Sequence, residues 1–128
     1  MTSNSAYIYD LHNVYKNWLN ELALSNDELG IFKTNLEKIV LANNQIEVTA
    51  RIEQFQNQFI THLNELQLLR HDIKAAENEI EKNIAENPVA ADHRKLDVDN
   101  TLEDRMQQFK KLFLELKNDY TAFLAKTL

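Results

Sequence analysis

Apolar residues recur with a seven-residue period along most of the chain. In the middle of the sequence, an apolar residue recurs every seven positions, and each of the first four is followed three positions later by a second seam residue. The members of this seam are Ile52, Phe55, Phe59, His62, Leu66, Leu69, Ile73, Ala76 and Ile80. Such a/d spacing is typical of a helix that buries one stripe against neighbouring helices. His62 is the one polar side chain that interrupts it.

A second seam precedes this one and keeps its phase through a polar stretch. Its members are Ile8, Leu11, Tyr15, Trp18, Leu22, Ser25, Leu29, Phe32, Leu36, Ile39 and Asn43. Ser25 and Glu28 have the spacing of a capping box and Gly30 is close by, so a helix could end and another begin here. A loop would normally shift the phase, however, and Gly30 falls outside the seam, where it costs only about 1 kcal/mol. We therefore predict one continuous helix over about residues 5–43.

The phase of the pattern changes at Asn43-Asn44, which predicts a turn. Asn44, followed by Glu47 three residues later, can cap a second helix, predicted over about 46–85. Residues 86–98 contain the chain's single proline and no heptad, so they are predicted to form a loop. Because Asn87-Pro88 is a favourable N-cap and N1 pair, this loop is expected to contain a short helical turn.

A third seam predicts a helix over about 99–127. Its members are Leu102, Met106, Phe109, Phe113, Leu116, Tyr120 and Phe123. The short first turn requires the first two helices to be antiparallel, and the third then returns along both. The predicted fold is all-α: a single domain, residues 1–128, forming an elongated antiparallel (up-down-up) three-helix bundle with coiled-coil-like heptad packing.

Composition supports this fold and narrows the classes of partner. One Gly and one Pro leave few residues for the tight turns of a sheet protein. The net charge of −6 argues against binding to duplex nucleic acid or to an anionic membrane surface. The chain has no cysteine, no signal-peptide pattern at its start and no apolar run long enough to cross a membrane. We expect a soluble cytoplasmic protein.

The two polar exceptions in the seams are predicted to come together in the bundle. With the first turn centred near residue 45, Ser25 lies beside residue 65, one turn from His62. With the loop centred near residue 92, His62 lies beside residue 122, next to Tyr120. The sequence therefore predicts a polar core layer of Ser25, His62 and Tyr120. Such a layer either fixes the alignment of the helices, as polar seam residues do in coiled coils, or forms a small internal site.

The sequence contains no recognisable catalytic or metal-binding constellation. Di-iron bundles need Glu-x-x-His motifs, and no histidine of this chain has a glutamate three residues before it. The only supportive spacing is that of His62 with Glu65. No nucleophile and base can be paired without arbitrary choices, and one glycine cannot form a phosphate-binding loop. We expect no catalytic residues, no metal and no cofactor.

The polar run Gln54, Gln56, Asn57 and Gln58 carries few charges for an exposed helix, which favours a contact face. The sequence thus favours a non-enzymatic protein-protein interaction or scaffolding module, which binds a protein partner or associates with itself as a homodimer. The alternative is a small-ligand or metal-binding bundle built on the layer around His62, with His12 or Glu65 assisting.

Overall fold

Three long helices pack against each other in the computed structural model, which describes residues 4–42, 46–88, 95–98 and 100–127. The helices are α1 (Ile8–Ala42), α2 (Ile46–Glu86) and α3 (Thr101–Thr127). Two short strands, β1 (Asn4–Tyr7) and β2 (Lys95–Val98), pair antiparallel, with Asn4 opposite Val98 and Tyr7 opposite Lys95. The predicted all-α, up-down-up three-helix bundle is confirmed, with a two-stranded ribbon added to it.

The helix α1 runs without a break through the stretch Ser25–Gly30. No residue of the described chain, Gly30 included, has a positive φ angle. The preserved heptad phase therefore predicted the helix correctly, and the capping-box spacing does not mark a helix boundary. Only an unbroken helix keeps one stripe of residues on the same side over ten turns.

The buried side chains are largely the predicted seam residues. From α1 they include Leu22, Leu29 and Leu36, and from α2 Phe55, Leu66 and Ile73; α3 adds Met106, Phe113, Leu116 and Tyr120. The seams therefore face one another along the bundle axis and form a continuous core. Within the described ranges, no helix is long and apolar enough to cross a bilayer.

The first prediction that needs correction is the start of α1. The helix was expected from about residue 5, but residues 4–7 are a strand that pairs with β2. In β2, Lys95 and Asp97 alternate with Leu96 and Val98, which is a strand pattern. The sequence predicts a loop over 86–98 because this segment contains the single proline and no heptad, whereas pairing with β1 makes residues 95–98 a strand. The helical turn expected after Asn87-Pro88 falls largely on residues 89–94, outside the described residues.

The register of α3 along α2 also differs from the prediction. His62 was expected beside residue 122, but its ring lies 6.3 Å from those of both Phe109 and Phe113. An extended residue advances about 3.3 Å along the chain, compared with about 1.5 Å for a helical residue. Over the four residues of β2 this difference amounts to about 7 Å, or about 1.3 helical turns, so the strand accounts for part of the displacement of α3.

Candidate functional site

His62 is half-buried between α2 and α3. Its Nδ1–H donates to the carbonyl oxygen of Gln58, one turn earlier, at 2.8 Å. Because a carbonyl can only accept, this contact assigns the proton to Nδ1 and leaves Nε2 as an acceptor. Nε2 is shielded and has no hydrogen-bond partner. Only one of the two ring nitrogens of His62 therefore has a hydrogen-bond partner, and that partner belongs to the same helix.

Tyr120 is fully buried, and its hydroxyl also has a backbone partner. The hydroxyl donates to the carbonyl oxygen of Phe32 at 3.1 Å, and the ring packs edge-on against Phe55 and Phe59 at 5.2 Å. Burial raises the pKa of the Tyr120 phenol above its ordinary value. A neutral phenol that donates one hydrogen bond to a backbone carbonyl of another helix and packs among aromatic rings is a structural arrangement.

These contacts correct the expectation of a polar layer made by Ser25, His62 and Tyr120. In the described part of the chain, no hydrogen bond joins any two of these residues. His62 lies at the level of Phe113, whereas Tyr120 lies about two turns further along α3. Ser25 is half-buried on α1. The displacement of α3 along α2 is the physical reason that Tyr120 lies apart from His62.

The four residues of the predicted contact face divide between two sides of α2. Gln56 and Asn57 border a groove between α1 and α2. Gln54 instead accepts a hydrogen bond from Arg51, and the guanidinium of Arg51 also pairs with Asp119 of α3. Residues 54 and 58 are one turn apart and share a side of α2, and each lies about 160° around the helix from residue 56. Only Gln56 and Asn57 therefore belong to the surface of the groove.

The groove between α1 and α2 has a volume of about 480 Å³. Leucine and aromatic side chains form much of its wall, and amide and charged side chains form the remainder: the lining comprises Asn26, Leu29, Gly30, Lys33, Leu36, Glu37, Gln56, Asn57, Phe59, Ile60 and Leu63. We call this surface the Gly30 groove. Ile60 is 58% exposed, so a large apolar side chain is presented to solvent here.

A second cavity, of about 630 Å³, opens between α2 and α3. It includes His62 and Phe109 together with the exposed side chains of Leu68 and Leu112. At one side, the Arg105 guanidinium donates to Asp72 at 2.6 Å. That hydrogen bond, with a second one from His71, lowers the pKa of the Asp72 carboxyl below its ordinary value. This cavity is the part of the structure that corresponds to the predicted site around His62.

A third arrangement, near the start of α1, was not found from the sequence. His12 of α1 contacts the carboxylate of Glu77 on α2, and Glu81 lies one helical turn further along α2. Glu77 is buried, and this burial raises the pKa of its carboxyl, although the neighbouring imidazole of His12 and the ammonium group of Lys16 act in the opposite direction.

The ligating atoms of His12, Glu77 and Glu81 all lie within 4.8 Å of one another, so these residues could hold a metal ion. The sequence test could not detect this arrangement, because it required a glutamate three residues before a histidine on the same helix. Here one helix supplies the imidazole and the other supplies two carboxylates. The available signal was the first register, which placed residue 12 beside residue 78 and was correct to within one residue.

Comparison of the chain with protein-family models, with curated proteins and with solved structures gives no match.

Proposed function

We propose that the protein is a non-enzymatic interaction module that binds an amphipathic helix of a protein partner in the Gly30 groove. The observation that carries this proposal is Gly30 itself. It is the single glycine of the chain, and it lies in the interior of a 35-residue helix. A glycine at such a position destabilises a helix by about 1 kcal/mol relative to alanine.

Neither the backbone conformation nor the packing of the described residues accounts for this glycine. Its φ angle is not positive, so an alanine would adopt the same backbone. A Cβ atom built on it meets no other atom within 4 Å, so the fold does not need the space either. Glycine in a helix is, however, what permits another backbone to approach closely. The missing side chain leaves the floor of the groove open at the point where a partner helix would cross it.

The chemistry of the groove favours a helix with an apolar face and an uncharged border. Leu29, Leu36 and Phe59 supply an apolar floor, and Ile60 adds an exposed anchor. The charges of Lys33 and Glu37 cancel, and Gln56 and Asn57 contribute neutral amides that both donate and accept hydrogen bonds. A helix laid between two antiparallel helices completes a four-helix arrangement, a common mode of peptide recognition.

Site-specific photo-crosslinking tests this proposal. A photoreactive residue in place of Gln56, inside the groove, is expected to capture a peptide with apolar residues at helical spacing. The same probe in place of Ile31 is the control. Ile31 is 58% exposed, does not line the groove, and is rotated about 100° from Gly30 around α1. A captured peptide from this chain would identify the partner as a second copy, and light scattering would then give about twice the 15.0 kDa mass of one chain.

A groove-blocking variant makes the test quantitative. Gly30→Arg projects a long side chain into open space, so it should leave the fold intact and weaken binding of the captured peptide by about tenfold or more. Ile31→Arg adds the same charge on another face and should leave the affinity unchanged. Equal affinity for both variants, or a captured peptide without an apolar face, would refute the groove as the binding site.

A second candidate function is small-ligand binding in the cavity between α2 and α3. The observation that favours it is the Nε2 atom of His62, which lacks a hydrogen-bond partner beside a largely apolar cavity. A ligand of this site would be apolar with one hydrogen-bond donor for that nitrogen. Binding of such a ligand would be lost in His62→Leu, whereas Gly30→Arg would not affect it.

A further inference from the structure

The arrangement of His12, Glu77 and Glu81 has the composition of a metal site. Glu77 and Glu81 are four residues apart on α2, so both side chains leave the helix on one side. His12 reaches the same place from α1, which runs antiparallel to α2. The ligating atoms lie within 4.8 Å of one another. Three protein side chains from two helices therefore converge on one point.

The burial of Glu77 is the independent observation that calls for a ligand. Its exposed fraction is 6%, and it is the one buried polar or charged side chain in the described part of the chain. The carboxylate oxygen Oε2 is fully shielded and has no hydrogen-bond partner. His12 Nδ1 contacts the other oxygen, Oε1, which also has no hydrogen-bond partner in the described part of the chain. A buried carboxylate without full compensation is strongly unfavourable, since its charge has lost the solvation that water provides.

We propose that this protein binds a divalent transition-metal ion, with Zn²⁺ as the best match, through His12, Glu77 and Glu81. One imidazole and two carboxylates are ligands that Zn²⁺ accepts. Mg²⁺ and Ca²⁺ prefer ligand sets made entirely of oxygen, and Cu(I) prefers sulfur. The ion would neutralise the two carboxylates and join the beginning of α1 to the end of α2.

The dimensions of the site fit such an ion. Zinc bonds to nitrogen and oxygen are about 2.0 to 2.2 Å long, so two ligand atoms of a tetrahedral site lie about 3.4 Å apart. The ligand atoms here lie within 4.8 Å of one another, so the outermost must move closer by about 1.4 Å to reach that spacing. Glu81 is exposed and has the freedom to make that change. Three protein ligands leave the fourth position of the ion for water or for a donor from a partner.

Isothermal titration of the metal-free, untagged protein with Zn²⁺ alone tests this inference. The expected result is saturable binding of one ion per chain. Glu77→Gln and Glu81→Gln each remove one charged ligand with little change of shape, and each should weaken the binding by about tenfold or more. Glu79→Gln is the matched control, because Glu79 is exposed and lies on another side of the same helix. The affinity of the Glu79→Gln variant for Zn²⁺ should equal that of the wild type.

Thermal unfolding gives a second readout that separates loss of the site from loss of the fold. Saturating Zn²⁺ should raise the unfolding temperature of the wild type and of Glu79→Gln by the same amount, and that of Glu81→Gln by less. Since Glu81 is exposed, its variant is expected to fold normally without metal, and it decides the question even if Glu77→Gln does not fold. No saturable binding up to millimolar Zn²⁺, or equal affinities of the wild type and Glu81→Gln, would overturn the proposal. His12 and Glu77 would then be a structural pair only.

Discussion

Replacement of Gly30 by alanine is expected to stabilise the protein. The substitution adds one methyl group on the surface of α1, twelve residues before the helix ends. The new Cβ atom would have no neighbour within 4 Å, so it introduces neither a clash nor a new packing contact. The backbone conformation is already one that alanine adopts, since no positive φ angle occurs here. Helix propensity is therefore the dominant contribution that remains.

The magnitude follows from that single contribution. Alanine is favoured over glycine by about 0.8 to 1.0 kcal/mol in a helix interior. For a chain of this length, with an unfolding entropy of about 2.1 cal/mol/K per residue, this corresponds to an increase in Tm of about 3 to 4 °C. Serine has an intermediate propensity, so Gly30→Ser should give about half of the effect and serves as an internal control.

Urea unfolding followed by circular dichroism measures the change directly. The midpoint should increase while the m-value stays the same, because the surface exposed on unfolding hardly changes. A decrease in stability, or no change for either variant, would mean that Gly30 fulfils a requirement of the fold. The argument that this glycine serves an external partner would then fail, and the proposed groove function would lose its main support.

Three further substitutions test other parts of the structure. Tyr120→Phe removes the hydroxyl that donates to the Phe32 carbonyl, and should lower the free energy of unfolding in urea by about 1 kcal/mol; an unchanged value would contradict that contact. His62→Leu removes a shielded nitrogen without a partner, and should retain or raise the same free energy by up to about 1 kcal/mol, whereas a clear loss would show that the imidazole has a partner. Asp72→Asn tests how the stability depends on pH. Arg105 lowers the pKa of the Asp72 carboxyl in the folded protein below 3.8, so the pair stabilises the fold above that pH. This stabilisation is lost as the pH falls through the lowered pKa. The variant should therefore be less stable than the wild type at pH 7, and the difference should shrink as the pH falls below 3.8; a difference that does not shrink would exclude this explanation.

The proposed binding surface could be predicted from the sequence only in part. The amide run on α2 contributed two residues, Gln56 and Asn57, to the Gly30 groove, because a run of consecutive residues around a helix necessarily faces several directions. Gly30 itself was noted as a modest helix-destabilising residue. Only the structure shows that no internal contact requires it.

The His12, Glu77 and Glu81 arrangement could be placed in part. The first register was accurate because α1 ends at Ala42 and α2 begins at Ile46, which leaves little freedom in how α2 returns along α1. It brings His12 and Glu77 to one level. The burial of Glu77 was not predictable from the heptad, which assigned the neighbouring Ala76 to the seam. At this end of the bundle the buried stripe includes both residues, with Glu77 the more buried.

The sequence by itself determined the three helices, the members of their seams and the alignment of the first hairpin. Those features depend on helix propensity, on the seven-residue spacing of apolar side chains and on a short turn, all of which are local. The tertiary structure decided the β1–β2 ribbon and the register of α3, and with them the surroundings of His62 and Tyr120. A strand of four residues is stabilised mainly by its pairing partner, which here is about 90 residues away in the chain. The long connection after α2 left the position of α3 to be settled by that pairing and by core packing, which no local pattern encodes.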